Sequence, residues 1–296
     1  MDGRARGWYN NTCDKKEIRA ITLKVGIIGG KGLMGSFFSD FFRKNNNEVI
    51  ISDKDTTIKP IEVASNCDIV VLSVPISVTP DLIREVGPYV KENSLLCDLT
   101  SIKKEPVELM LKYSRSSVVG LHPLFGPGIK DIKNQVIVMC KGRGDNWYSW
   151  LKETFINSGA KIKESTPEQH DKMMAIIQGL THFTFITITH VLKDLGVDVK
   201  ESLEYSSPIY RLRIDMISRI LNQNPELYAD IEILNKETKN VIKKYIKNVK
   251  KLYKLIKKQD KEDFIKYFQE ASNYMGETKI RAEERTNKIL NFISEI

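Results

Sequence analysis

Between Lys24 and Ser165 the chain alternates short β-branched runs with helix-like stretches, and that alternation leaves few folds open to it. The strand candidates are KVGIIG (24–29), EVIISD (48–53), DIVVLSV (68–74), SLLCDL (94–99), SVVGLH (117–122), QVIVMC (135–140) and KIKES (161–165). Most are unbroken apolar runs, which suits parallel strands covered on both faces better than a half-solvated sheet. LMGSFFSDFFRK, TPDLIREVGPYV, KKEPVELMLKYS and NWYSWLKETFINS lie between them and have the pattern of crossover helices. The expected fold is α/β, a doubly wound, Rossmann-like parallel sheet.

At Thr166-Pro167-Glu168-Gln169 the pattern changes. Thr is placed to cap a helix, Pro suits its first position, and Gln follows three residues after the cap. Everything beyond reads as helix, with breaks near Gly196, Ser206-Ser207-Pro208 and Asn224-Pro225. The 296 residues thus divide into a polar, flexible N-terminal arm (1–23), a dinucleotide-binding domain (24–165) and an all-α domain (166–296).

Composition removes several function classes. An apolar share of 41% is ample for a core and excludes a disordered chain. Four cysteines (Cys13, Cys67, Cys97, Cys140) form no CxxC pair, so they read as reduced apolar residues in a cytoplasmic protein without a metal. The first 23 residues hold no apolar stretch of the kind a signal peptide needs. Met173–Leu192 is uncharged and long enough to mimic a membrane span, but Gln178, His182, His190 and its threonines are costly in lipid. A helix buried in a soluble core is expected there. The net charge of +8 is local: nine lysines and no acid lie between Lys239 and Lys258. They are interleaved with Val241, Tyr245, Val249, Leu252 and Ile256, as in an amphipathic helix whose lysine face is solvated and whose apolar face is buried. Lysines without arginine or stacking aromatics point only weakly to nucleic acid.

Gly30-Lys31-Gly32-Leu33-Met34-Gly35 follows the first strand and opens a helix, fitting the spacing Gly-x-Gly-x-x-Gly. The glycines permit a tight turn and close approach of the backbone to a pyrophosphate, which the helix N-terminus attracts. Asp53 ends the second strand 18 residues after Gly35. An acid there suits the ribose hydroxyls of NAD and repels the 2′-phosphate of NADP, although Lys54 stands beside it.

Two further segments reach the carboxyl ends of strands, where open α/β sheets bind ligands. SLLCDL runs into Leu99-Thr100-Ser101, and the next strand into His122-Pro123-Leu124-Phe125-Gly126-Pro127. A single helix joins them, so Ser101 and His122 fall on one edge of the sheet. A neutral imidazole there could take a proton from a substrate hydroxyl as hydride leaves for nicotinamide; a loop histidine held by its neighbours is the plainer alternative. In the helical half, His170-Asp171 precedes the uncharged helix, on which Gln178 and His182 lie four apart on one face. Arg211, Arg213 and Arg219 offer guanidinium groups suited to carboxylates.

Taken together, GGKGLMG, DLTSIKK, LHPLFGPG, HDKMMAIIQGLTHF, SSPIYRLRIDMISRI and NPELYADI resemble the prephenate dehydrogenases. HPLFGP and HDxxMxxIQxLxHF are the specific segments. The resemblance implies a Rossmann-like domain followed by a helical domain that forms a homodimer. It also implies NAD-dependent oxidative decarboxylation of prephenate to 4-hydroxyphenylpyruvate, in tyrosine biosynthesis. By motif, His122 is similar to the family's catalytic base and Ser101 to its partner on the ring hydroxyl. His182 resembles the second active-site histidine, Arg219 the arginine for a prephenate carboxylate, Arg211 its helper and Tyr228 an aromatic lining residue. Gln178 completes the expected substrate-binding set. Two departures set expectations: fewer than 25 residues precede the first strand, too few for a fused chorismate mutase, and no α/β regulatory pattern follows the helices.

Three other functions compete. Arogenate dehydrogenase differs only in the substrate's side chain. A β-hydroxyacid dehydrogenase would carry a GxxxKxxxN pattern on its interdomain helix, which we do not find. An NAD-sensing nucleic-acid binder would use the lysine-rich helix, and its binding would be salt-dependent.

Overall fold

A computed structural model describes residues 22–126 and 128–294. The expected N-terminal arm, Cys13 included, therefore falls outside the described residues except for Thr22 and Leu23, as does Pro127.

Seven strands form one sheet: β1 (Lys24–Ile28), β2 (Glu48–Ser52), β3 (Ile69–Leu72), β4 (Leu95–Asp98), β5 (Ser117–Pro123), β6 (Val136–Arg143) and β7 (Lys161–Ser165). Their order is β2-β1-β3-β4-β5-β6-β7. Helices α1 (Leu33–Lys44), α2 (Pro60–Asn66), α3 (Thr79–Val86), α4 (Lys104–Tyr113) and α5 (Asp145–Asn157) connect them. One apolar core is built on Phe38, Phe42, Leu121 and Phe155, and the other on Ile83, Leu96 and Met110. β3 and β4 are buried at every position, as their unbroken apolar runs require.

The wholly parallel sheet is corrected at one place. β6 runs antiparallel to β5, and β7 follows β6 in parallel. The described residues between β5 and β6 form no helix, so β6 pairs back along β5 without a helical crossover. α2 was also not expected: it is short and begins at Pro60.

From Thr166 onward the chain is helical: α6 (Pro167–Met174), a π-helical segment (Ala175–Leu180), then α7 (Thr181–Asp194), α8 (Val199–Glu204), α9 (Pro208–Leu221), α10 (Pro225–Leu234), α11 (Thr238–Lys258), α12 (Lys261–Met275) and α13 (Thr278–Ser294). The Thr166 hydroxyl accepts from Gln169 N, as its motif requires. Gly196 takes φ +66°, and Pro208 and Pro225 each open a helix.

Two burial expectations are corrected here. The run Pro167–Asp194 passes for a membrane span by length and composition, yet only 17% of its most apolar window is buried in the chain. It packs on α4, α9, α10 and α11, yet among the described residues Met173, Ile176, Ile177 and Val191 stay exposed. α11 likewise leaves Val249 and Ile256 exposed, although it packs on the π-helical segment and on α12. Ile76, Ile102 and Ile231 pack together, joining the sheet's loops to α10.

Candidate active site

The loop from β1 to α1 forms a cradle for a dinucleotide. Gly29 turns the chain at φ +83°, where a side chain would strain the backbone. A Cβ on Gly35 would lie 2.2 Å from the Gly29 carbonyl oxygen, so only glycine lets α1 start this close to the loop. No side chain caps α1 at Gly32, and its first turn holds no acid. Its leading amides, those of Leu33, Met34 and Gly35, therefore face the loop's mouth with the positive end of the helix dipole, which suits a pyrophosphate. Leu33 stands exposed beside that mouth. Asp53 follows β2 and accepts from Lys31 N (2.9 Å) and Lys54 N (2.8 Å). A carboxylate has about four acceptor positions, so these bonds leave room for ribose hydroxyls. Lys31 Nζ pairs with Asp55 at 2.7 Å instead of with Asp53. The cradle fits NAD.

Four residues along the chain, Asp98, Thr100, Lys103 and His122, meet at the carboxyl ends of β4 and β5. Parallel pairing sets Asp98 against Gly120, which brings the turn holding Ser101 beside His122. Lys103 and Asp98 form an ion pair with both side chains fully buried, and Thr100 N also donates to Asp98 at 3.1 Å. A Cβ on Gly120 would meet the Lys103 stem at 3.0 Å, so that glycine leaves room for the lysine under β5. Ser101 is half-buried, and its hydroxyl makes no hydrogen bond among the described residues.

His122 is 3% exposed. Its Nδ1 lies 2.8 Å from His170 Nε2, and its Nε2 lies 3.4 Å from Gln178 Nε2. His170 Nδ1 in turn lies 2.8 Å from Asp171 Oδ1. Asp171 accepts from Lys103 N (2.7 Å) and Lys104 N (3.0 Å) at the start of α4, and Asn235 holds its carbonyl. Burial, then the neighbouring His170 and Lys103, hold the His122 ring well below its ordinary 6.5, so it rests neutral. Burial also lowers His170, against the pull of Asp171.

Gln178 belongs to the π-helical segment, a distortion often found at functional sites. Its Oε1 is buried without a partner. One turn on, His182 stacks edge-on against Tyr228 at 4.7 Å, and its Nδ1 faces Glu232 Oε1 at 3.4 Å. The Arg219 charge acts on Tyr228, whose hydroxyl is raised by burial. Arg219 is exposed at the end of α9, while Arg211 is exposed and turns to the Leu203 carbonyl. The structure thus gathers His122 with Gln178, and His182 with Tyr228 and Arg219; Arg211 stands apart.

Nothing in the sequence assigns a role to His170, Asp171, Lys103 or Glu232. Adjacent His-Asp before an inward-facing helix was the one available signal for the first two. Cys67, Cys97 and Cys140 are free and buried, and burial raises the first to about 11 and the last to about 12. No metal-binding group of acids, histidines and cysteines occurs among the described residues.

Comparison with known proteins gives a consistent picture. Residues 25–164 match the nucleotide-binding domain of prephenate dehydrogenase, and residues 166–270 its dimerization domain. A probable arogenate/prephenate dehydrogenase of Methanocaldococcus jannaschii is 36% identical over 93% of this chain and 66% of its own length. The T-protein of Haemophilus influenzae is 34% identical over 95% of this chain and 74% of its own length. The chain thus spans about two thirds to three quarters of those relatives. Among solved structures, prephenate dehydrogenase of A. aeolicus, in complex with hydroxyphenyl propionate and NAD+, superposes with a TM-score of 0.70 at 18% identity. That match covers 89% of this chain and 98% of the other, and it bears on the fold.

Proposed function

Because this chain belongs to the prephenate dehydrogenase family, we propose that it catalyses NAD-dependent oxidative decarboxylation of prephenate to 4-hydroxyphenylpyruvate, a step of tyrosine biosynthesis. The observation that carries this reading is His122: a buried, neutral imidazole at the carboxyl edge of β5, with Nδ1 engaged by His170 and Nε2 facing Gln178. A bound NAD supplies the hydride acceptor.

In this reading His122 takes the proton of the ring hydroxyl at Nε2 while Ser101, whose hydroxyl is otherwise unpartnered, orients that hydroxyl. Gln178 hydrogen-bonds at the same end of the substrate. His182 and Tyr228 line the other end, and Arg219, with Arg211 as a more distant helper, receives a carboxylate. Gly30, Lys31, Gly32, Leu33, Met34, Gly35 and Asp53 hold the dinucleotide.

We divide the chain at residue 165 and infer a homodimer through the helical half. Ile209 at 66% exposure, Ile233 at 76% and Phe268 at 65% support that inference, since a single chain leaves them in water.

The test is NADH absorbance after mixing the protein with NAD and prephenate, with arogenate assayed in parallel. NADH with prephenate supports the reading, and preference for arogenate redirects its substrate. No NADH with either, together with salt-dependent binding of nucleic acid, would overturn it.

A further inference from the structure

We propose that His170 and Asp171 are positioning residues for this reaction: the hydrogen-bonded chain Asp171–His170–His122 selects the tautomer of His122 and keeps its lone pair on the substrate side. The inference rests on the oxidoreductase reading above and assigns a role to two residues outside the set named there.

The direction of the chain is fixed at its far end. The Asp171 carboxylate only accepts, so His170 Nδ1, 2.8 Å from it, carries the hydrogen. A neutral imidazole has one N–H, which leaves His170 Nε2 as an acceptor. His122 Nδ1, 2.8 Å away, must then be the donor. His122 Nε2 is left bare, and it is the nitrogen that faces Gln178. Burial keeps both rings neutral, as this logic requires.

The anchor comes from the other half of the molecule. Asp171 sits on α6, yet its oxygens accept from Lys103 N at 2.7 Å and Lys104 N at 3.0 Å, where the dipole of α4 favours an anion. His122 belongs to the sheet and His170 to the helices, so the tautomer is set where the two halves dock. When Nε2 of His122 takes the substrate proton, its Nδ1–H bond to His170 becomes charge-assisted, and the carboxylate stands at the end of the line. Without that chain a buried imidazolium would be costly.

The test uses the full chain with isotope-labelled histidines, in which long-range proton–nitrogen correlation spectra distinguish the imidazole tautomers. Above the imidazole titration range, the wild type should show His122 protonated on Nδ1, assigned by its loss in His122→Asn. His170→Phe should move His122 toward the Nε2-protonated form and lower kcat roughly ten- to a hundredfold, less than the ~10²–10⁴-fold that loss of a general base itself costs. The KM for NAD should stay put. His170→Gln offers an amide oxygen to Nδ1–H and should restore the tautomer and most of kcat. A wild-type His122 protonated on Nε2 overturns the proposal, as does a folded His170→Phe enzyme with unchanged kcat and pH profile. If His170→Phe does not fold, His170→Gln decides: loss of the Nδ1 tautomer with kcat intact contradicts the chain. A wild type that makes no NADH defeats the oxidoreductase reading instead, and the tautomer still tests the hydrogen-bonded chain by itself.

Discussion

His122 Nδ1 and His170 Nε2 lie 2.8 Å apart across the join between sheet and helices, both rings almost wholly buried. The contact spans 48 residues of sequence and ties the proposed base to the element that orients it. Loss of docking between the two halves would therefore disarm the base before it unfolds the sheet.

The same burial predicts a pH dependence of stability. An unfolded chain protonates its histidines near 6.5, whereas native His122 and His170 protonate only at lower pH. The stability these neutral rings contribute is complete above 6.5 and is lost as pH falls toward the native values. Each ring adds a slope of up to ~1.4 kcal/mol per pH unit. Urea unfolding between about pH 7 and pH 5 should show stability falling on acidification, and less steeply in His170→Phe. A flat profile in the wild type would contradict the buried neutral pair.

Lys103 and Asp98 Oδ2 form a buried ion pair beneath the site, and Asp98 Oδ1 has no partner. Lys103→Met leaves that carboxylate uncompensated and is expected to cost ~3–5 kcal/mol in urea unfolding. Replacing Asp98 by Leu in the same chain should recover a large part of the loss. Equal stability of the single variant and the wild type would show that the pair is solvated.

Gly35→Ala puts a Cβ 2.2 Å from the Gly29 carbonyl oxygen and 2.8 Å from Gly30 Cα, both backbone atoms that cannot step aside. We expect a stability loss of ~1–3 kcal/mol and at least about tenfold weaker NADH binding by fluorescence titration. Gly32→Ala, whose nearest neighbour is the Gly29 oxygen at 3.3 Å, should weaken binding with a smaller stability loss. Wild-type affinity in both would place the dinucleotide elsewhere.

Arg219→Ala removes the guanidinium whose charge acts on Tyr228. Losing a charged hydrogen bond worth about 1.5–3 kcal/mol should raise the KM for prephenate roughly ten- to a hundredfold. The KM for NAD should not move. An unaltered prephenate KM removes Arg219 from the site.

The sheet was legible because buried strands need continuous apolar runs, and each of the seven runs became a strand. The reversal of β6 was not, since Val136–Cys140 is as apolar as a parallel strand would be and direction depends on what connects it to β5. The glycine cradle and Asp53 could be read because local backbone geometry dictates them. His170 and Asp171 could be seen but not assigned, because their partners, His122 and Lys103, lie 48 and 68 residues away. The lysine-rich helix misled in another way: amphipathic spacing shows that a helix has an apolar face, and not which molecule covers it.

Replacing the proposed base, as in His122→Asn, probes its role without removing the polar group from the position. Asparagine keeps polarity at the position but cannot take up a proton. Steady-state turnover of prephenate and NAD by the folded variant should show kcat reduced about 10²–10⁴-fold with both KM values changed little. The limb of the kcat profile that falls on acidification, placed below 6.5 in the wild type by burial of the ring, should vanish. Unchanged turnover with the same acid limb would show that another group takes the proton.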